Sequence, residues 1–134
     1  MPILRVISLA LVLAAGRADA EVYFLNPVNP LPDGQGFEVV DKLGTDFTFI
    51  WCDAAWAARA AGAGSTERIY VSHPYGSSRT APGLDGVSFT MTPDATVRAA
   101  AKALTGPRSL SLTNLGNNMS VGQGLGYCVF EMGS

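Results

Sequence analysis

The chain has one histidine, His73, and two cysteines, Cys52 and Cys128. One histidine cannot assemble the usual zinc or iron sites, so no metal site is expected. The cysteines are far apart, form no C-x-x-C pair and have no lysine or histidine beside them to lower a thiolate pKa. There is no G-x-S-x-G elbow and no lysine-bearing phosphate loop. Charged residues are scarce, at 15% of the chain, with nine basic and eleven acidic side chains. That mildly acidic balance speaks against nucleic acid, whose phosphates call for a basic patch, and against an anionic lipid surface. Small molecules, peptides, other proteins and envelope components remain as partners, and no cofactor is expected.

The first twenty residues have the parts of a secretory signal. Arg5 supplies the charge of the n-region, and Val6 to Ala15 is an uncharged, mostly apolar run with Ser8 as its one polar residue. Ala18 and Ala20 then place small residues at −3 and −1 of a cleavage site. The apolar run is about half the roughly 20 residues that span a bilayer, which favours a cleaved signal over an anchor. Cleavage after Ala20 makes 1–20 a signal peptide and 21–134 one globular domain, with no stable membrane anchor afterwards. It also removes Arg5, Arg17 and Asp19, taking the nine basic and eleven acidic residues to seven and ten. The expected location is the periplasm, or outside a bacterial cell, where Asn118-Met119-Ser120 stays unglycosylated.

An even cysteine count in an exported domain reads as a Cys52–Cys128 disulfide. Closing a loop of about 76 residues contributes on the order of 4 kcal/mol, a large share of a small domain's net stability.

Along the mature part, Val22 to Leu25 has strand character, and Asn26 to Gly36 (NPVNPLPDGQG) reads as a proline-rich extended arm. Phe37 to Val40 is a second strand. From Thr45 to Gly62, Phe47, Ile50, Trp51, Ala54, Ala58 and Ala61 recur at three- and four-residue steps, with Thr45 or Asp46 as cap. Phe49, Cys52 and Trp56 widen that apolar face, the mark of a central helix. Phe47 to Trp51 alone also fits a strand. Gly62 stops the helix.

Arg68 to Ser72 is a strand, and His73 to Asp85 (HPYGSSRTAPGLD) a long loop. Val87 to Met91 alternates as a half-buried strand should. Thr92-Pro93-Asp94 reads as a capping hydroxyl, a first-turn proline and an acid opening a helix that Gly106-Pro107 ends. Leu110 to Thr113 is a further strand, and Asn114 to Asn118 a turn. Val121, Leu125, Cys128 and Met132 share a helical stripe with Ser120 as cap, although Gly122, Gly124 and Gly126 oppose helix unless they serve close packing. The expected class is α+β. It comprises a small antiparallel or mixed sheet of four to five strands, two to three helices and one disulfide. From the second strand the order βαββαβ is ferredoxin-like, with two helices on one face.

His73 opens a strand-end loop with Ser77 and Ser78 nearby, the candidates for a base and nucleophile oriented by Asp53 or Asp85. Tyr75 and Arg79 in the same loop are candidate binding anchors, since such residues often dominate interface energy. The remaining carboxylates are dispersed. Trp51 and Trp56 read as core.

Trp51-Cys52 opening an alanine-rich helix, Arg68-Ile69-Tyr70 as a strand and the C-terminal Cys128 together resemble small exported proteins of proteobacteria, a family of unknown activity. The resemblance implies an exported, disulfide-linked α+β domain and brings no activity, cofactor or site. The functional expectation is a non-enzymatic exported binding or accessory protein, with the Asn26–Gly36 and His73–Asp85 loops as its surfaces. A small hydrolase using His73 with Ser77 or Ser78 is the alternative.

Overall fold

Alternation along the strands divides the apolar residues from the polar ones. A computed structural model describes residues 25–44, 46–105 and 109–128. The strands are β1 (Val28–Pro30), β2 (Phe37–Asp41), β3 (Arg68–Ser77), β4 (Asp85–Thr90) and β5 (Asn118–Ser120). They form one antiparallel sheet in the order β1-β2-β4-β3-β5. The register aligns Val28 with Val39, Val39 with Val87, Phe37 and Val71 with Phe89, and Ile69 with Met119. Paired residues share a face, so these side chains make a continuous apolar layer. The other face carries Glu38 opposite Ser88 and Tyr70 opposite Thr90.

Helix α1 (Phe47–Ala60) covers the apolar layer with Ile50, Trp51, Ala54, Ala55 and Ala58. Asp46 is its N-cap: the carboxylate accepts from the Thr48 amide at 3.0 Å. With that cap in place Phe47 to Trp51 is helix. At the far end Ala63 donates to Ala58 and Gly62 to Arg59, a Schellman closure that requires the left-handed φ of +99° at Gly62. Trp51 meets Phe89 edge-on with ring centres 5.2 Å apart, and its indole N–H donates to the Leu110 carbonyl at 2.9 Å. The large ring is buried with its one polar atom satisfied.

Helix α3 (Val121–Gly126) is the helix expected of the tail, capped by Ser120, whose hydroxyl accepts from the Gln123 amide. Its glycines explain how it seats on α1. A Cβ at Gly124 would lie 2.7 Å from the Ala55 Cβ and 3.2 Å from the Trp51 carbonyl oxygen, whereas one at Gly126 would meet nothing within 4 Å. Beside this contact the Cys52–Cys128 disulfide joins α1 to the chain just past α3, with Cα atoms 5.1 Å apart.

The class is α+β with one disulfide, and strands and helices follow in the expected succession, although two of the strands are formed by segments other than those expected. Several boundaries differ. The expected first strand at Val22–Leu25 falls mostly outside the described residues, and β1 lies inside the proline-rich arm. Edge position permits this, because a proline lacking its N–H costs no ladder bond there. β3 runs on through His73–Ser77, expected as loop, because two register irregularities, between Val71 and His73 and between His73 and Gly76, absorb its extra residues against β4. Helix α2 (Ala95–Ala103) starts after Asp94, whose carboxylate accepts from the Val97 amide at 2.9 Å. Thr92 is not the cap; its amide donates to the Thr90 hydroxyl. Gly106-Pro107 and Arg108, like residues 1–24, 45 and 129–134, lie outside the described residues.

Leu110 to Thr113 is not a strand. Its carbonyls serve single bonds instead, Leu110 to Trp51 and Leu112 to the Tyr75 amide. The pairing falls to β5, placed along β3 by the Gly116 turn (φ +83°) and by Val71 donating to the Asn117 carbonyl. β4 lies between β2 and β3, as in a ferredoxin-like sheet. The last strand departs from that plan: β1 holds the free edge of β2, so β5 docks on β3. Helix α2 also lies across the face opposite α1, where Arg98, Ala101 and Lys102 face Arg68 and Tyr70 of β3.

Three outcomes follow for stability in urea. Cys52→Ala with Cys128→Ala lowers the unfolding free energy by about 4 kcal/mol. Gly124→Ala loses about 1–3 kcal/mol through overpacking against Ala55, although alanine is the better helix former. Gly126→Ala, facing open space, changes stability by no more than about 0.5 kcal/mol or raises it.

Candidate functional site

Phe37 and Val39 both face the core, so Glu38 between them emerges on the opposite side of the sheet, where it is only 1% exposed. A carboxylate so placed must be paired or hydrogen-bonded. The loop from Ser78 to Leu84, closed by Ser78 donating to the Leu84 carbonyl, folds over it. One carboxylate oxygen accepts from the Ser78 hydroxyl at 2.7 Å, the Thr80 amide at 3.1 Å and the Thr80 hydroxyl. The other accepts from the Arg79 amide at 2.7 Å. Gly86 leaves the space for this: a Cβ there would stand 2.9 Å from the carboxylate. Burial alone pushes the Glu38 pKa up. The Ser78 and Thr80 hydroxyls with the Arg79 and Thr80 amides outweigh it and hold the carboxyl below its ordinary range.

The other proline- and glycine-rich segment is a tight connection between β1 and β2. Leu31, 4% exposed, anchors it, and its amide donates to the Gly36 carbonyl. Gly36 adopts φ +123°, and a Cβ there would lie 2.1 Å from the Phe89 carbonyl oxygen, so only glycine fits. Asn29 donates its side-chain amide to the Thr80 hydroxyl at 3.0 Å, and Arg79 pairs with Asp33 at 3.4 Å. The Gln35 amide first, and Arg79 with it, hold the Asp33 carboxyl below its usual range. The two loops therefore form one surface. Beside it opens a cleft of about 170 Å³ lined by Leu31, Asp33, Arg79, Thr90, Thr92 and Asp94.

The other candidates have separate duties. His73 is exposed on β3, and among the described residues no hydrogen bond joins it to Ser77 or Ser78. The Ser78 hydroxyl is committed to Glu38 and accepts from the Ala81 and Thr80 amides. Ser77 is exposed at the end of β3 opposite Asp85. Tyr75 donates its hydroxyl to Asp41 at 2.7 Å and packs on Phe47 with ring centres 5.6 Å apart. The Asp41 bond, with burial and the charges of Asp41 and Asp85, pushes its pKa up to about 12. Tyr75 is thus a half-buried brace between β3 and the end of β2, and Arg79 alone of the two expected anchors projects its charge.

Asp53 is fully buried on α1 and accepts from the Leu25 and Asn26 amides and the Asn26 side chain. It pins the chain leading into β1 rather than orienting His73, and burial raises its pKa against those bonds. Trp51 is core. Trp56 is half-buried, with the Arg59 guanidinium 5.6 Å above its ring. Among the described residues no three His, Cys, Asp or Glu side chains are grouped to hold a metal ion, and no helix is long and apolar enough to cross a membrane.

Glu38 went unrecognised in the sequence because its partners lie 40 to 42 positions away. The local signal is a lone acid inside the apolar run Phe37-Glu38-Val39-Val40, together with the donor cluster Ser78-Arg79-Thr80. Compared with known proteins, the chain matches no family model, no curated protein and no solved structure.

Glu38→Gln turns one carboxylate oxygen into a donor facing other donors and lowers stability by about 1–3 kcal/mol. Because the folded pKa lies below the unfolded one, the wild-type benefit is present above about pH 4.3 and lost as pH falls through the folded value. Urea unfolding from pH 7 downward should show the gap between wild type and Glu38→Gln closing in that acid range.

Proposed function

We propose that this chain is an exported binding or accessory protein whose paired loops, Leu31–Gly36 and Ser78–Leu84, recognise a protein, a peptide or an envelope component. The Ser78–Leu84 loop, fixed on the buried Glu38 and joined to the Leu31–Gly36 loop through the Arg79–Asp33 pair, carries this reading. A loop held by a buried charge loses little freedom on binding, so less of the contact energy goes to ordering it. Arg79 and Asp33 present a fixed pair of opposite charges, with side chains 39% and 45% exposed. Leu84, 38% exposed, adds an apolar contact at the rim.

Export to the periplasm or beyond the cell is supported by the signal-like pattern of residues 1–20, which lie outside the described residues, and by the disulfide. Structural disulfides persist in oxidising compartments. Both cysteines are buried, at 1% and 4% exposure, which favours a structural bond over redox exchange.

The test has two stages on the full chain expressed in a Gram-negative host. Intact mass of the periplasmic protein should begin at Glu21, with alkylation only after reduction. Envelope extracts are then passed over the immobilised protein and over an Asp33→Ala, Arg79→Ala, Leu84→Ser variant. Capture by the wild type and loss by the variant supports the reading. A retained signal or freely alkylated cysteines would refute export, and equal capture by the variant would refute the loop surface.

A further inference from the structure

A second feature of the same sheet face is independent of the loops. Between α2 and the β3–β5 edge lies a groove of about 590 Å³, lined by Arg68, Tyr70, Arg98, Ala101, Lys102 and Asn118. Its volume falls in the range of small-ligand sites. Three of its lining residues are cationic and none is acidic, in a chain whose formal net charge is −2. Among the described residues the ion pair is Arg79 with Asp33, so these three cations are not neutralised by a carboxylate. Arg98 and Lys102 stand one turn apart on α2, an arrangement that costs helix stability unless an anion offsets it.

The groove is also built to hold its charges still. Arg68 donates through Nε to Asn118 Oδ1 at 2.6 Å and through one terminal nitrogen to the Asn118 carbonyl at 3.3 Å. Asn118 is 2% exposed, and its own amide donates to the Gly116 carbonyl at 2.8 Å, which fixes which way its oxygen points. Arg98 is tethered through one nitrogen to the Pro93 carbonyl at 2.8 Å. Each guanidinium therefore has one side anchored and further N–H donors unused, the state from which a planar fork grips an oxyanion. Lys102 adds a mobile point charge and Tyr70 an aromatic wall.

We propose that this groove binds a small organic polyanion, a molecule with at least two carboxylate, phosphate or sulfate groups on a compact body. Arg68 and Arg98 each take one oxyanion, Lys102 closes over the assembly and the body rests on Tyr70 and Ala101. A single oxyanion engages only part of this set and binds more weakly. A polymer contacts the groove only through one short segment.

Amide chemical shifts of the oxidised secreted chain, titrated at low salt, test this. The probes are citrate, pyrophosphate, a disulfated sugar, acetate and glycerol. The expected result is saturable shifts at Arg68–Tyr70 and Arg98–Lys102 with one or more polyanions. Acetate should be much weaker and glycerol silent, and the best polyanion identifies the oxyanion class. Binding weakens as salt rises from about 0.02 to about 0.2 M. Arg68→Ala with Lys102→Ala reduces affinity roughly tenfold or more, while Arg59→Ala, on another helix, leaves it unchanged. Shifts elsewhere in the spectrum report whether the double variant is folded. Absence of saturation by every polyanion, or equal binding by the folded double variant, overturns the proposal and leaves the loop surface untouched.

Discussion

An ionised carboxylate in the middle of a sheet imposes the constraint from which the polar half of this molecule follows. Glu38 sits on β2 between β1 and β4, where the Ser78–Leu84 loop covers it and leaves it 1% exposed. Leaving it dry and unpaired would cost several kcal/mol, against a net stability of the same order. The chain meets the constraint by bringing a loop to the acid. Two hydroxyls and two amides from Ser78, Arg79 and Thr80 surround it, and a glycine at 86 makes room. β3 must bulge on its way to that loop, and Arg79 is left pointing out beside Asp33. The proposed recognition surface is thus a consequence of how one buried charge is satisfied.

The opposite face is organised differently. There the middle of the sheet presents apolar side chains, and α1 closes over them with Trp51 at the centre. The short α3 would be marginal by itself, since so few residues cannot offset the cost of helix nucleation. It persists because Gly124 lets its backbone touch Ala55 and because the disulfide ties its end to α1. One face is held by dispersion and a covalent bond, the other by charge-assisted hydrogen bonds. The stapled face supplies a rigid base, and both proposed binding features lie on the face carrying Glu38, Arg68 and Tyr70.

Much of the fold was legible in the sequence, and what was missed shares one physical origin. α1 announced itself through alanine density and three- and four-residue steps, and the tail helix through its cap and stripe, because both signals are local. The cysteine pair was legible from count and context. β5 was not, because Asn118-Met119-Ser120 has no strand pattern of its own and pairs only because Gly116 turns it alongside β3. The first strand hid among prolines that an edge position tolerates. Glu38 looked like one of several scattered acids, and Ser78 like a possible nucleophile, until the fold put one over the other. Net charge, too, averages over a surface: it gave no sign that Arg68, Arg98 and Lys102 meet around one groove, since Arg68 lies far from the other two in sequence.

The 78–84 loop is held in place by a buried carboxylate. Native-state hydrogen exchange at the Arg79 and Thr80 amides tests this directly, since both donate to Glu38 and to no backbone ladder. Protection approaching that of the β2–β4 ladder amides is the predicted result. Exchange of both amides at unprotected rates while the ladder stays protected would mean that the loop opens freely, and the preformed surface would have to be abandoned.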